Sequence, residues 1–165
     1  MCLIDTKCSK MENSSKRMHR KMPAVKLSQT EMQYITILQG IVNVTINDCV
    51  IDEEENKVIF VVSEGQAGLA IGKRGMNINK LKEMISKDVE IIEHSSDPAK
   101  FIRNCFLPII IKEIMFLERK NGKAATVEVD TKDKGRAIGR NGKNINKVKK
   151  LVLRQFDVID VMIKQ

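Results

Sequence analysis

The sequence predicts an α+β protein built from two tandem copies of one small domain, docked on each other. Three observations carry that reading. A thirteen-residue cassette occurs twice, AIGKRGMNINKLK at 70–82 and AIGRNGKNINKVK at 137–149, with nine identical positions. Its surroundings repeat at the same offset of 67 residues: KVIFVVSEGQAG (57–68) lies over AATVEVDTKDKG (124–135), and VEIIEH (89–94) over FDVIDV (156–161). Apolar residues, finally, follow a strand pattern ahead of each cassette and a helical one within it.

The elements follow in chain order. Residues 28–40 read as a helix, and 42–52 (VNVTINDCVID) and the apolar run VIFVV as two strands. A short helix leads into the cassette, where Ile78, Leu81 and Ile85 fall at i, i+3 and i+7 and open an amphipathic helix. VEIIEH closes the copy as a strand. In the second copy Asp97 and Pro98 are an N-cap and a first helical residue for a helix over 97–106. The segment 109–119 reads as a strand, followed by Asn121-Gly122, a dipeptide suited to a tight hairpin turn. Val127 and Val129 alternate with polar neighbours as on a half-buried strand, and Ile145, Val148 and Val152 repeat the helical spacing. Each copy is therefore expected to pack helices on one face of a three-stranded sheet.

A domain of 67 residues buries only about 60% of the surface its unfolded chain exposes. Nothing between residues 94 and 97 resembles a flexible linker, so the copies, bounded at 28–95 and 96–165, are expected to dock. Residues 1–27 remain as a basic tail, expected to be disordered; Met22, close ahead of the first copy, leaves open whether residues 1–21 are a native arm or an over-extended start.

Composition excludes several classes. The longest apolar runs, such as FLPIII at 106–111, fall far short of the roughly 20 residues that span a bilayer. A cytoplasmic protein with no membrane association is expected. Cysteines 2, 8, 49 and 105 form no CxxC pair, and with only His19 and His94 beside them they make a poor disulfide framework and a poor metal site. Cys49 and Cys105 are expected to be buried small hydrophobes. No Walker-type phosphate loop and no catalytic grouping of histidines and carboxylates is present, so no enzymatic activity, cofactor, metal or small-molecule substrate is expected.

The formal net charge of +8 points to an anionic partner. Its distribution is uneven: residues 28–94 carry six basic and eleven acidic side chains, residues 97–165 sixteen and eight. Lys132, Lys134, Arg136, Arg140, Lys143, Lys147, Lys149 and Lys150 gather around the second cassette, against Lys73, Arg74, Lys80 and Lys82 around the first. The second copy is thus expected to hold a polyanion more strongly. The acidic first copy, with DEEE at 52–55, is read either as facing a protein partner or as a solvated face.

Two glycines flanking two residues allow a sharp reversal between helices, and they keep side chains out of the way of an approaching backbone. The helix that follows starts at the turn and aims unpaired N–H groups and its positive end into the same space. That geometry suits a phosphate, with Lys73 and Arg74, or Arg140 and Asn141, beside it. The extended cassette, its flanking strands and its duplication resemble the K-homology (KH) domain in its type II form. Two such domains in close tandem are similar to the NusA family of transcription elongation and termination factors, most of all its short archaeal form.

The resemblance implies single-stranded RNA as partner, held on its backbone by Gly72-Lys73-Arg74-Gly75 and Gly139-Arg140-Asn141-Gly142. It makes Ile71, Ile78, Ile138 and Ile145 candidates for the grooves where bases lie, and Lys143 and Lys147 candidates for phosphate contacts. Aromatic residues are only 4% of the chain; Phe60, Phe101, Phe106, Phe116 and Phe156 are expected in the core rather than on a stacking platform. Ribosome-linked RNA binding, and a protein-interaction module that binds no RNA, stand as alternatives.

Overall fold

A computed structural model describes residues 26–120 and 122–164. The expectations for residues 1–25, including the tail and its Cys2, Cys8 and His19, and for Asn121 lie outside the described residues. Among those described, no helix is long and apolar enough to cross a membrane.

The first copy runs α1 (Gln29–Ile41), β1 (Ile46–Asp52), β2 (Lys57–Val62), α2 (Ala67–Ile71), α3 (Met76–Ile85) and β3 (Asp88–Glu93). The second repeats it as α4 (Pro98–Phe106), β4 (Ile111–Arg119), β5 (Gly122–Val129), α5 (Lys134–Ile138), α6 (Lys143–Gln155) and β6 (Val158–Ile163). Both sheets have the middle strand second in sequence, antiparallel to the strand before it and parallel to the strand that closes the copy.

Local chemistry sets the helix starts. Ser28 Oγ accepts from the Glu31 N–H at 3.2 Å while Glu31 Oε2 accepts from the Ser28 N–H at 2.7 Å, a reciprocal cap. Asp97 accepts from the N–H groups of Ala99 and Lys100, with Pro98 at the first helical position as expected. The first strand starts later than its sequence pattern suggests, at Ile46 rather than Val42. There the Thr45 N–H donates to the Gln66 side chain, while the Thr45 carbonyl accepts from the Ser63 N–H at 2.9 Å as the last bond to that side of the hairpin.

Two cores form, and their membership shows how the copies dock. Val58, Phe60 and Val62 point from β2 into the first core, with Leu38 and Leu81. Ile59 and Val61, on the opposite face of the same strand, join Val50 and Ile92 in a second core with Phe101, Ile102, Cys105 and Phe106 of α4 and Leu151 of α6. The outer face of the first sheet thus lies against the helices of the second copy, which is why β2 is apolar throughout instead of alternating. The junction is tight: Ser95 is buried, and His94 stacks on Phe156 with ring centroids 6.2 Å apart.

One core assignment needs correction. Phe60, Phe101, Phe106 and Phe156 are buried, but Phe116 is 38% exposed. It lies on β4, the edge strand of the second sheet, of which only the beginning is covered. Tyr34 packs, partly buried, against the first core.

Candidate nucleic-acid interface

The two GxxG turns have almost the same backbone. Gly72 sits at φ 78°, ψ 170° and Gly139 at φ 77°, ψ 167°, a region that glycine alone occupies freely. Arg74 and Asn141 take the left-handed conformation, as do Gly75 and Gly142 behind them. In each turn the last glycine donates its N–H to the first one's carbonyl at 3.1 Å.

Packing also excludes any side chain at the first glycine. A Cβ on Gly72 would lie 2.8 Å from the Asn77 amide, and one on Gly139 would lie 2.9 Å from the Asn144 backbone nitrogen. These asparagines hold the corner. Asn77 Nδ2 donates to the Leu69 carbonyl at 2.9 Å, and Asn144 Nδ2 to the Ala137 carbonyl at 3.1 Å. Sequence reasoning missed their role, although both stand at identical positions in the NIN of each cassette.

Gly75 and Gly142 are the N-caps of α3 and α6 and provide no side chain to satisfy the first-turn N–H groups. Both helices therefore present backbone donors and a positive dipole end at the turn. Lys73, Arg74, Arg140 and Asn141 are exposed there. Ile71 and Ile138, each 38% exposed, stand at the ends of the short helices before the turns. Ile71 borders a cavity of about 260 Å³ with Ala67, Ile91 and Ile92, which the second copy closes with Asn104 and Leu107. Ile78 and Ile145 are half-buried; Ile78 packs on the first core.

Charge around the turns is less lopsided than the sequence count suggests. In the second copy Lys143 pairs with Glu55, Lys147 with Glu90 at 2.7 Å, Lys149 with Asp160 at 2.8 Å and Arg136 with Asp133 at 3.4 Å. Lys82 is the paired member of the first set, held by Asp88 at 2.7 Å. Among the described residues, the eight cations of the second set thus leave four without an ion pair, and the four of the first leave three. Glu55 and Glu90 belong to the first copy, so Lys143 and Lys147 both reach across the domain junction, and the Lys147 side chain is only 12% exposed.

The junction holds one further ionic group. Asp48, fully buried on β1, accepts from Arg154 Nε at 2.9 Å, Arg154 Nη2 at 2.7 Å and Gln155 Nε2 at 3.0 Å. Burial, reinforced by the carboxylates of Glu31 and Asp48, pushes the nearby Cys49 thiol up to about 12. Cys105 is raised as well, mainly by its burial.

Sequence comparisons agree with this geometry. The KH domain profile matches residues 33–113, and that of the NusA-like second KH domain matches residues 98–165. A probable transcription termination protein NusA of Methanocaldococcus jannaschii is 34% identical over 142 residues, which are 86% of this chain and 76% of the relative. The chain belongs to the NusA family. Its namesakes from Halococcus morrhuae and Thermoplasma acidophilum are 31% and 32% identical, with 83% and 88% of this chain aligned to 96% and 99% of theirs. The crystal structure of APE1850 superposes at a TM-score of 0.75 and 38% identity, over 84% of this chain and all of that one. Each profile contains one copy of the cassette, 70–82 in the first and 137–149 in the second.

Proposed function

We propose that this NusA-family chain is a non-enzymatic transcription factor that holds single-stranded RNA on both GxxG turns. One observation carries the reading: two turns of matching backbone conformation each combine an uncapped helix start with an exposed cation, Arg74 in one and Arg140 in the other, that makes no ion pair among the described residues. A phosphate approaching either turn meets backbone N–H groups and a guanidinium or ammonium, and the glycines leave no Cβ in its path. Bases would then lie along Ile71 and Ile138, on grooves whose walls are aliphatic rather than aromatic. Each turn grips about four nucleotides, so a strand held by both has a footprint of about eight or more. The setting that fits is the cytoplasm, on transcript emerging from RNA polymerase, with the family resemblance as its support.

The test is fluorescence anisotropy with a labelled single-stranded RNA of a dozen nucleotides, with DNA and duplex controls. Wild type is expected to prefer the single strand and to weaken with salt at a slope of roughly −0.7 per neutralised phosphate. Lys73→Asp with Arg74→Asp, and separately Arg140→Asp with Asn141→Asp, are each expected to lower affinity tenfold or more, on the order of two lost phosphate contacts. Binding that survives both double substitutions would overturn the proposal.

A further inference from the structure

The acidic turn between β1 and β2 of the first copy is exposed, yet one of its carboxylates is engaged. It stands opposite the second GxxG turn, and Glu55 Oε1 is bonded to Lys143 Nζ. Lys143 is the first residue of α6, directly after Gly142, so its ammonium belongs to the space where a phosphate on that turn would sit. Between the two lies a cavity of about 360 Å³ bordered by Asp52, Glu55, Gly139, Arg140 and Lys143. Glu54 and Asp52 add to the negative field felt by Lys143, whose pKa is raised first of all by the hydrogen bond it donates to Glu55.

The repeat provides an internal control. At the offset of 67 residues Lys143 corresponds to Met76, 65% exposed. The strand pairs Asp52–Lys57 and Leu117–Ala124 are equivalent, so residues 53–56, with three carboxylates, correspond to the segment 118–123, with one carboxylate and three cations. A lysine at the helix start and a cluster of carboxylates therefore appear together only on the two elements that meet. A solvated charged face has no reason to produce that match.

We propose that Glu55 is a built-in competitor for RNA at the second turn, a carboxylate that occupies the phosphate position until a strand displaces it. The proposal rests on the RNA-binding reading above and deepens it. A strand gripping only the second turn must break the Glu55–Lys143 pair from solution. A strand already held at the first turn does so at high local concentration, so the pair favours RNA long enough to reach both turns.

The experiment uses the full chain, single-stranded RNAs of four and twelve nucleotides, and anisotropy over a salt series. Glu55→Gln is expected to tighten binding of the four-nucleotide RNA roughly two- to fivefold, the strength of one exposed ion pair. The salt slope should steepen by about 0.7 as Lys143 becomes available to a phosphate. Glu54→Gln removes the same charge from the same turn without breaking the pair, and a clearly smaller gain is expected. Equal gains from the two variants would reduce the effect to net charge and overturn the proposal. Unchanged or weaker binding by Glu55→Gln, with wild type binding normally, would show that Glu55 positions Lys143 for RNA and would overturn it also. If neither wild type nor Glu55→Gln binds any strand, the RNA-binding reading falls and this proposal with it.

Discussion

Replacing Arg154 with alanine is expected to cost about 3–5 kcal/mol of folding stability, the range for stranding a buried charge. Asp48 is 0% exposed, and its carboxylate accepts two bonds from Arg154, one from Gln155 and one from the Cys49 N–H at 2.8 Å. Without the guanidinium the carboxylate keeps two neutral donors and no counter-charge. Glu31, whose own carboxylate lies 3.9 Å from the guanidinium, then faces it as a like charge. A protein of this size has about 5–15 kcal/mol in total, so the loss should be plain in a urea titration followed by circular dichroism. Removing both partners at once should cost far less. Asp48→Leu with Arg154→Met leaves the Cys49 N–H without its acceptor, a penalty of about 1–3 kcal/mol, releases the partly exposed Gln155 amide to water, and strands no charge at position 48. The reasoning fails if Arg154→Ala costs under about 1 kcal/mol, or if the double variant is less stable than Arg154→Ala alone.

Two further outcomes follow from the turn and the thiols. Gly139→Ala places a Cβ 2.9 Å from the Asn144 backbone at a φ of +77°, and should cost about 1–3 kcal/mol; Gly135→Ala, in α5 with nothing within 4 Å, should be neutral or stabilising, and equal melting temperatures would contradict this. Cys49 should resist alkylation at pH 8 in the folded chain and react on unfolding, as read by peptide mass spectrometry, because the thiolate is the reactive form. Since its folded pKa lies above the ordinary 9.0, its contribution to stability is complete below about pH 9 and is lost as pH rises toward 12; stability unchanged across that window would contradict the assignment.

Much of the fold was legible because it is local. Alternation, helical spacing, the Asp97-Pro98 start and the paired glycines all act within a few residues, and each element they predict is present with boundaries moved by a few positions. The geometry of the candidate site was legible to the same extent: the two sharp turns, each opening a helix, were readable from the paired glycines. What pattern could not reveal was which charges are already partnered. Lys147 looked like another cation beside the turn, and only the docked fold brings Glu90 to it from 57 residues away. The DEEE run, likewise, looked solvated or free for another protein; it is exposed, but the fold sets Glu55 against Lys143.

Where the two copies differ, the differences locate their contact. Val50, Ile59, Val61 and Ile92 form the outer face of the first sheet; Ile59 and Val61 become Thr126 and Glu128 at the offset of 67 residues, and Val50, paired with Ile59, becomes Met115, paired with Thr126. The first four are buried, while Met115 is 38% exposed. Two copies of one fold need the same inner face, so divergence is free to concentrate on the face whose surroundings differ. A polar residue at Ile59 or Val61 would be sealed against α4 without water; at Thr126 and Glu128 it keeps access to solvent. The same logic explains the ends of the long helices. α6 has 13 residues against 10 in α3, and the added turn is what carries Arg154 and Gln155 to Asp48. In a duplicated domain, then, an apolar run in one copy that alternates in the other marks the surface its neighbour covers, and an extension in one copy marks where it reaches back.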